Sequence, residues 1–155
     1  MLNQNICIYI YLRMNELPCL CSNVRRTARA MTQLYEEALR PLGLRSSQFT
    51  ILQVLERTGE IAQGRLSEIL AIDSTTLTRT LAIMLREGWV AERRGEDRRE
   101  RWLRLSKTGE ARMKRAVPAW ERVQARVRRQ LGDEKWKELF QLTTLLTELS
   151  SERVQ

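Results

Sequence analysis

The hydrophobic period of this chain changes twice, and that change does most to limit what it can fold into. From Val24 to Glu87 apolar residues recur at steps of three and four; from Trp89 to Leu105 they alternate; after Ser106 the helical step returns. The first helical stripe is Val24, Ala28, Met31, Tyr35, Ala38 and Leu42, closed by Pro41 and Gly43. A second helix is expected after Ser46 as N-cap, through Phe49, Leu52, Val54 and Leu55, until Gly59 stops it. A third covers Gln63 to Leu70, and a fourth starts at Asp73 or Ser74 and ends before Gly88. The alternating stretch reads as two short strands flanking the charged turn Gly95 to Glu100. A long helix follows to about Leu131, which Pro118 should kink or break, and Gly132-Asp133 separates a last one. The fold class is mainly α with a small β-hairpin.

A chain of 155 residues suits one core, or one core shared between two subunits. The final helix favours the second case. Its stripe of Trp136, Leu139, Phe140, Leu142, Leu145, Leu146 and Leu149 is wider than packing on one core requires, so part of it should face another chain.

Composition narrows the function. There is no His and there are only three Asp, Asp73, Asp97 and Asp133, which removes the imidazole that most proton-shuttling and zinc sites use. A protein that is not an enzyme and holds no cofactor is expected. The formal net charge of +8 suits a polyanion. Cys7, Cys19 and Cys21 are an odd number crowded near the N-terminus, with no framework of bridges, which fits a reducing cytoplasm. The apolar run Ile6 to Leu12 is too short to cross a membrane. Residues 1–21 read as an N-terminal extension, with 1–13 either a mobile arm or translated upstream of the native start at Met14.

The fourth helix and the hairpin carry the functional signal. Leu77, Leu81, Met84 and Leu85 fall on one side of a helical wheel, while Thr75, Arg79 and Arg86 fall on the other. Small hydroxyl side chains at the N-terminal end let such a helix approach a major groove, and Arg79 can bond a guanine edge with two parallel hydrogen bonds. Between Arg93 and Arg104 lie six arginines, whose guanidinium groups can enter a minor groove or hold phosphates. Four acids in the span from Glu92 reduce its net charge to +2, so some of these arginines should be paired locally.

The ordered set is specific. A short helix, then Asp73-Ser74-Thr75-Thr76-Leu77-Thr78-Arg79-Thr80-Leu81, Gly88-Trp89-Val90, the tip Asp97-Arg98-Arg99 and Leu105-Ser106-Lys107-Thr108-Gly109 follow in turn. Over about residues 20 to 150 the chain resembles the MarR family of regulators. The resemblance implies a winged helix-turn-helix (about 46–105) with a helical dimerisation region (about 22–42 and 106–150), in one domain spanning 22–150. It implies a bacterial homodimer that binds a pseudo-palindromic double-stranded DNA operator, most often as a repressor. The DNA-contacting set is then Ser74, Thr75, Thr76, Thr78, Arg79, Arg86, Arg94, Asp97, Arg98, Arg99 and Arg101, with Arg99 as the minor-groove arginine and Asp97 as the acid that orients it. Arg86 stands where an acid is common in the family, and Ser106 where many members have Thr.

Members of the resembled family commonly answer small aromatic or phenolic compounds, or oxidants. Met31, Tyr35, Phe49 and Trp120 are the candidate ligand-lining residues, although large apolar residues at helical spacing also build cores. Cys19 and Cys21 are the redox candidates; one residue apart, they cannot easily bridge each other. The basic stretch Arg112 to Arg129 reads as a solvated face that steers DNA. The competing class is a winged-helix module that binds protein, or nucleic acid without an operator of its own. The pairing of Thr75, Thr76 and Arg79 with Arg99 argues against it.

Overall fold

A computed structural model describes residues 19–97 and 100–151. In chain order the elements are α1 (Leu20–Leu39), a 3-10 turn (Arg40–Leu42), α2 (Ser46–Thr58), β1 (Glu60–Ala62), α3 (Gln63–Leu70), α4 (Ser74–Arg86), β2 (Val90–Arg94), β3 (Arg101–Leu105), α5 (Lys107–Leu131) and α6 (Asp133–Ser151). The protein is therefore mainly helical with one small antiparallel sheet, as expected. The chain divides into two compact units, residues 1–34 and 35–155. The described part of the first is the N-terminal stretch of α1. It starts at Leu20, ahead of the expected Val24, and takes in Cys21. Leu20 and Cys21 are exposed, so no apolar periodicity announces this first turn.

The second unit is built on one core. Leu39, Leu44, Phe49, Ile51, Leu52 and Leu55 from the α1–α2 segment meet Leu66 of α3, Leu77, Leu81 and Met84 of α4, Leu103 of β3, and Met113 and Ala116 of α5. Each Leu, Ile, Phe or Met side chain removed from water contributes about 1.5–3 kcal/mol, and together they fix α3 and α4 against the sheet.

Three sequence expectations are corrected. The N-cap of α2 is Arg45 rather than Ser46: the Arg45 amide donates to Oε1 of Gln48 (2.9 Å), and Ser46 donates its amide and hydroxyl to Oε1 of Glu36 (2.8 Å each). The sheet has three strands in the order β1-β3-β2, not two. β1 is only three residues long with one buried side chain, Ile61, and so has too little alternation to be read. α5 is not broken at Pro118. That residue and Lys114, whose carbonyl loses its amide partner, lie on the exposed side, while Ala116 and Ala119 pack on the other.

The sheet's register sorts the wing's charges between its two faces. Pairing of Glu60 with Arg104, Ala62 with Trp102 and Arg93 with Trp102 puts Glu60, Trp102, Arg104 and Arg93 on one face. Ile61, Leu103 and Val90 are on the other, against the core, and that face continues toward the tip through Glu92, Arg94 and Arg101.

Candidate nucleic-acid interface

α4 starts where a short polar side chain can serve its free amides. Asp73 is extended (φ −68°, ψ 153°); its Oδ1 accepts from the Thr76 amide (2.9 Å) and its Oδ2 from the Thr76 hydroxyl (2.6 Å). These bonds, the hydroxyl's first, hold the Asp73 carboxyl below its usual pKa. At the other end Gly88 takes φ +70°, which lets the chain reverse into β2. The helix buries Leu77, Leu81 and Met84 and leaves Ser74, Thr75, Thr76, Thr78, Arg79, Ala82, Ile83 and Arg86 exposed.

These exposed side chains are not equivalent. Thr76 is tied into the cap, and the Thr78 hydroxyl accepts from Nε2 of Gln63 (3.0 Å), joining α4 to the start of α3. Arg86 makes a long ion pair with the adjacent Glu87 (3.7 Å). Ser74, Thr75 and Arg79 stand on the open surface of the helix.

Part of the wing's charge is neutralised within the sheet. Arg93 donates through Nε and Nη2 to the two carboxylate oxygens of Glu60 (2.9 and 2.5 Å), and its guanidinium lies 5.2 Å from the Trp102 ring centroid. The Arg93 hydrogen bond is the main reason that the Glu60 carboxyl sits below its usual range. Arg101 donates through Nε (2.9 Å) and Nη2 to Oε2 of Glu92, leaving its side chain 27% exposed. The expected local pairing is therefore present, and it engages Arg101, a residue of the candidate DNA-contacting set. Arg94 and Asp97 are in the described part of the wing; Arg98 and Arg99 lie outside the described residues.

Helix and wing converge. Ser74 of α4, Glu100 and Arg101 of the wing, and Gln63, Gly64 and Arg65 of α3 line one cleft of about 590 Å³. Sequence reading missed Gln63, whose contact with Thr78 is fifteen residues away and forms only when α3 folds back beside α4. Its Oε1 is enclosed without a hydrogen-bond partner among the described residues.

The remaining candidates lie elsewhere. Phe49 is 2% exposed and belongs to the core; its ring centroid is 6.0 Å from that of Trp120, which packs against the same core with Tyr35. Burial raises the Tyr35 hydroxyl pKa. Met31 is part of the N-terminal unit. Cys19 and Cys21 are exposed free thiols. The Cys19 thiol is held below its usual pKa, first by the backbone amide of Ser22 and then by that residue's side chain. Among the described residues no helix is long and apolar enough to cross a membrane.

Comparison with known proteins gives a consistent result. Residues 44–100 match the MarR family. The M. tuberculosis transcriptional regulator MosR, solved in complex with DNA, superposes with a TM-score of 0.80 at 34% identity, over 88% of this chain and 99% of that one. An uncharacterised HTH-type transcriptional regulator of Bacillus subtilis, YwoH, is 35% identical over 91 residues, 59% of this chain; the match spans just under two thirds, 66%, of that protein. A mutant of E. coli MarR complexed with operator DNA shares the fold, with a TM-score of 0.76 at 22% identity over 85% of this chain and 96% of that one. With the three-stranded sheet, the capped α4 and the charged hairpin in the family's order, the chain belongs to the MarR family of transcriptional regulators, which are not enzymes.

Proposed function

We propose that the chain is a repressor that binds double-stranded DNA as a homodimer on a pseudo-palindromic operator, and that a small aromatic molecule or an oxidant releases it. The observation that carries the reading is the convergence of the α4 N-terminus and the wing: Ser74 and Arg101 line the same cleft. A helix in the major groove and a hairpin beside it need that arrangement. In this reading Arg79 bonds a guanine edge, while Ser74, Thr75, Thr76 and Thr78 set the close approach. Arg86, Arg94, Arg98 and Arg101 hold phosphates, Arg99 enters the minor groove, and Asp97 orients it. MosR, a relative at 34% identity, has been crystallised with DNA.

Two further features support the finer parts. α6 leaves Phe140, Leu142, Leu145 and Leu149 about half exposed, an apolar stripe that a second copy would cover. One winged helix reads few base pairs; two related by a twofold axis read a palindrome with half-sites about one helical turn apart. An exposed thiol with a lowered pKa at Cys19 is the chemistry an oxidant attacks first. Such a regulator works in the bacterial cytoplasm, on the nucleoid.

The test is fluorescence anisotropy of the full chain on its own upstream intergenic duplex and on a shuffled duplex, at several salt concentrations, with Arg79→Ala and Arg99→Ala alongside. A lost bidentate base contact removes about 1–3 kcal/mol of discrimination. Arg79→Ala should therefore lower the preference for the native duplex by about tenfold or more, and Arg99→Ala should weaken it less. Equal affinity of the parent for both duplexes at all salt concentrations would refute operator recognition.

A further inference from the structure

Trp102 stands on the wing without joining the core. It belongs neither to the buried cluster nor to the partly buried apolar residues packed against it. Its place is the outer face of the sheet, with Glu60, Arg93 and Arg104, while Leu103 beside it fills the core from the inner face. An indole outside the core gains less from burial, so its polar and ring contacts decide how it is held.

Those contacts form one line from β1 to the wing's turn. The Glu60 carboxylate binds the Arg93 guanidinium through both of its oxygens, the guanidinium carbon lies 5.2 Å from the Trp102 ring centroid, and Nε1 of Trp102 donates to Oε2 of Glu100 (3.2 Å). Glu100 closes the turn: its carbonyl accepts from the Gly95 amide (3.0 Å) and its amide donates to the Asp97 carbonyl (2.9 Å). Gly95 leaves room for the indole to reach across. A Cβ built there would stand 2.9 Å from Nε1 of Trp102 and 3.0 Å from both Cβ and Oε2 of Glu100. The line thus ends at the segment that carries Asp97 and, through Glu100, shares a cleft with Ser74 of α4.

We infer that Trp102 is a positioning residue for DNA binding: its ring face holds Arg93, its Nε1–H holds Glu100, and the wing's turn is thereby set beside α4 before DNA arrives. Little else can set it. β1 pairs with β3 only from Trp102 to Arg104, so the hairpin nearer the turn has two strands, and beyond Val90 and Leu103 its inner face carries Glu92, Arg94 and Arg101 rather than core residues. Two strands alone are marginally stable in water, and a segment ordered in advance loses less conformational freedom on docking. The inference rests on the DNA-binding reading and adds to it a residue outside the DNA-contacting set, which acts through Glu100.

The test is a cycle in duplex affinity built on two neutral replacements of Glu100. Glu100→Gln keeps an acceptor for the indole, and Glu100→Ala does not. Trp102→Phe keeps an aromatic ring beside Arg93 and removes the donor. In the Glu100→Gln background it should weaken binding about fivefold, or 1 kcal/mol, the usual net worth of one hydrogen bond; in the Glu100→Ala background it should add no further loss. Gly95→Ala, which drives the indole off Glu100, should weaken the otherwise native chain as Trp102→Phe does. An equal loss in both backgrounds, as a merely structural role of the ring would give, or no loss in either, would overturn the positioning role. The joint is also read without DNA, by 19F NMR of the full chain labelled with 5-fluorotryptophan, the Trp102 signal being the one lost in Trp102→Phe. That signal should move in Glu100→Ala and stay near its parental position in Glu100→Gln; an unmoved signal in Glu100→Ala would overturn the joint. A parent whose signal reports the joint but which binds no duplex would overturn the DNA-binding reading, and the positioning role with it, while the joint stood.

Discussion

Gly109 of α5 lies so close to Trp89 that a Cβ built on it would stand 2.1 Å from the Trp89 carbonyl oxygen. The wing's exit is locked to its entry at this point. The Ser106 hydroxyl donates toward the carbonyls of Gly88 (2.6 Å) and Trp89 (3.0 Å) while accepting from the Gly109 amide (2.9 Å), and the Ser106 amide donates to the Trp89 carbonyl (3.1 Å). The α5 N-cap and the base of the hairpin are thus one hydrogen-bonded joint.

Gly109→Ala should therefore destabilise by overpacking against backbone that cannot yield. A cost of about 1–3 kcal/mol is expected, a fall in melting temperature of roughly 2–4 °C per kcal/mol at this chain length. Ser106→Ala removes only the cap and should cost about 1 kcal/mol; Ser106→Thr should retain it. Differential scanning calorimetry of the three variants checks the order. If Gly109→Ala melts with the parent, the close approach at Trp89 is wrong.

The Asp73 cap gives a pH dependence with a definite sign. Hydrogen bonds from Thr76 lower the folded-state pKa below the ordinary 3.8, so the carboxylate's contribution is complete above that value. It is lost as pH falls through the lower, folded-state pKa. Asp73→Asn should therefore show a shallower loss of stability between about pH 5 and pH 2 than the parent, measured by urea unfolding. The two slopes coinciding would show that the cap does not act through its charge.

These two joints also show why much of the fold was legible in the sequence and some was not. α4 could be read because Asp73, Gly88 and the Leu77, Leu81, Met84 stripe are local signals of start, stop and buried face. The β2–β3 hairpin was legible for the same reason, since alternation is local. β1 was not: it exists only because β3 offers it a partner forty residues away, with Glu60 opposite Arg104. The Arg93–Glu60 and Gln63–Thr78 contacts are invisible for the same reason. Pro118 misled because its cost depends on whether its side of the helix is exposed, which no local pattern states. Arg101 was legible as a wing arginine, but its commitment to Glu92 depends on the strand register.

Cys19 should react as a thiolate at lower pH than an unperturbed thiol, because the Ser22 amide and side chain favour its ionised form. Iodoacetamide labelling followed by mass spectrometry across pH 6–10 should show Cys19 reaching half its maximal rate below the midpoint of N-acetylcysteine. In the proposed oxidant response, Cys19→Ser should abolish the peroxide-induced loss of duplex binding. A peroxide response unchanged in the Cys19→Ser, Cys21→Ser double variant would exclude thiol sensing at this pair.

The stripe on α6 makes the oligomeric state testable by charge. Leu145 and Phe140 are 54% and 53% exposed, with Leu142 and Leu149 close behind. Placing Glu at Leu145 would put a charge into an apolar contact between copies, which costs several kcal/mol when unpaired. Leu145→Glu should convert the proposed dimer to monomer by light scattering while leaving the core, which Leu145 does not join, with its own cooperative transition. Operator affinity should fall with it, since each half-site alone offers little surface. A Leu145→Glu protein that remains dimeric would move the interface off this face.

The pairing of Arg101 with Glu92 leads to a prediction in the opposite direction from most binding-site mutations. Glu92 occupies the guanidinium of Arg101, so in the proposed DNA-binding reading Arg101 exchanges one anion for another when a phosphate arrives. Glu92→Gln weakens the internal partner without changing its shape. Duplex affinity should therefore rise at low salt, and the slope of log affinity against log salt should steepen by roughly 0.9 if one further phosphate is engaged. The gain should be the same on native and shuffled duplexes, because phosphates carry no sequence information. Anisotropy titrations at four salt concentrations separate the outcomes. An unchanged slope in Glu92→Gln would mean that Arg101 keeps its place in the sheet and takes no phosphate. A gain confined to the native duplex would mean instead that Arg101 reads a base edge.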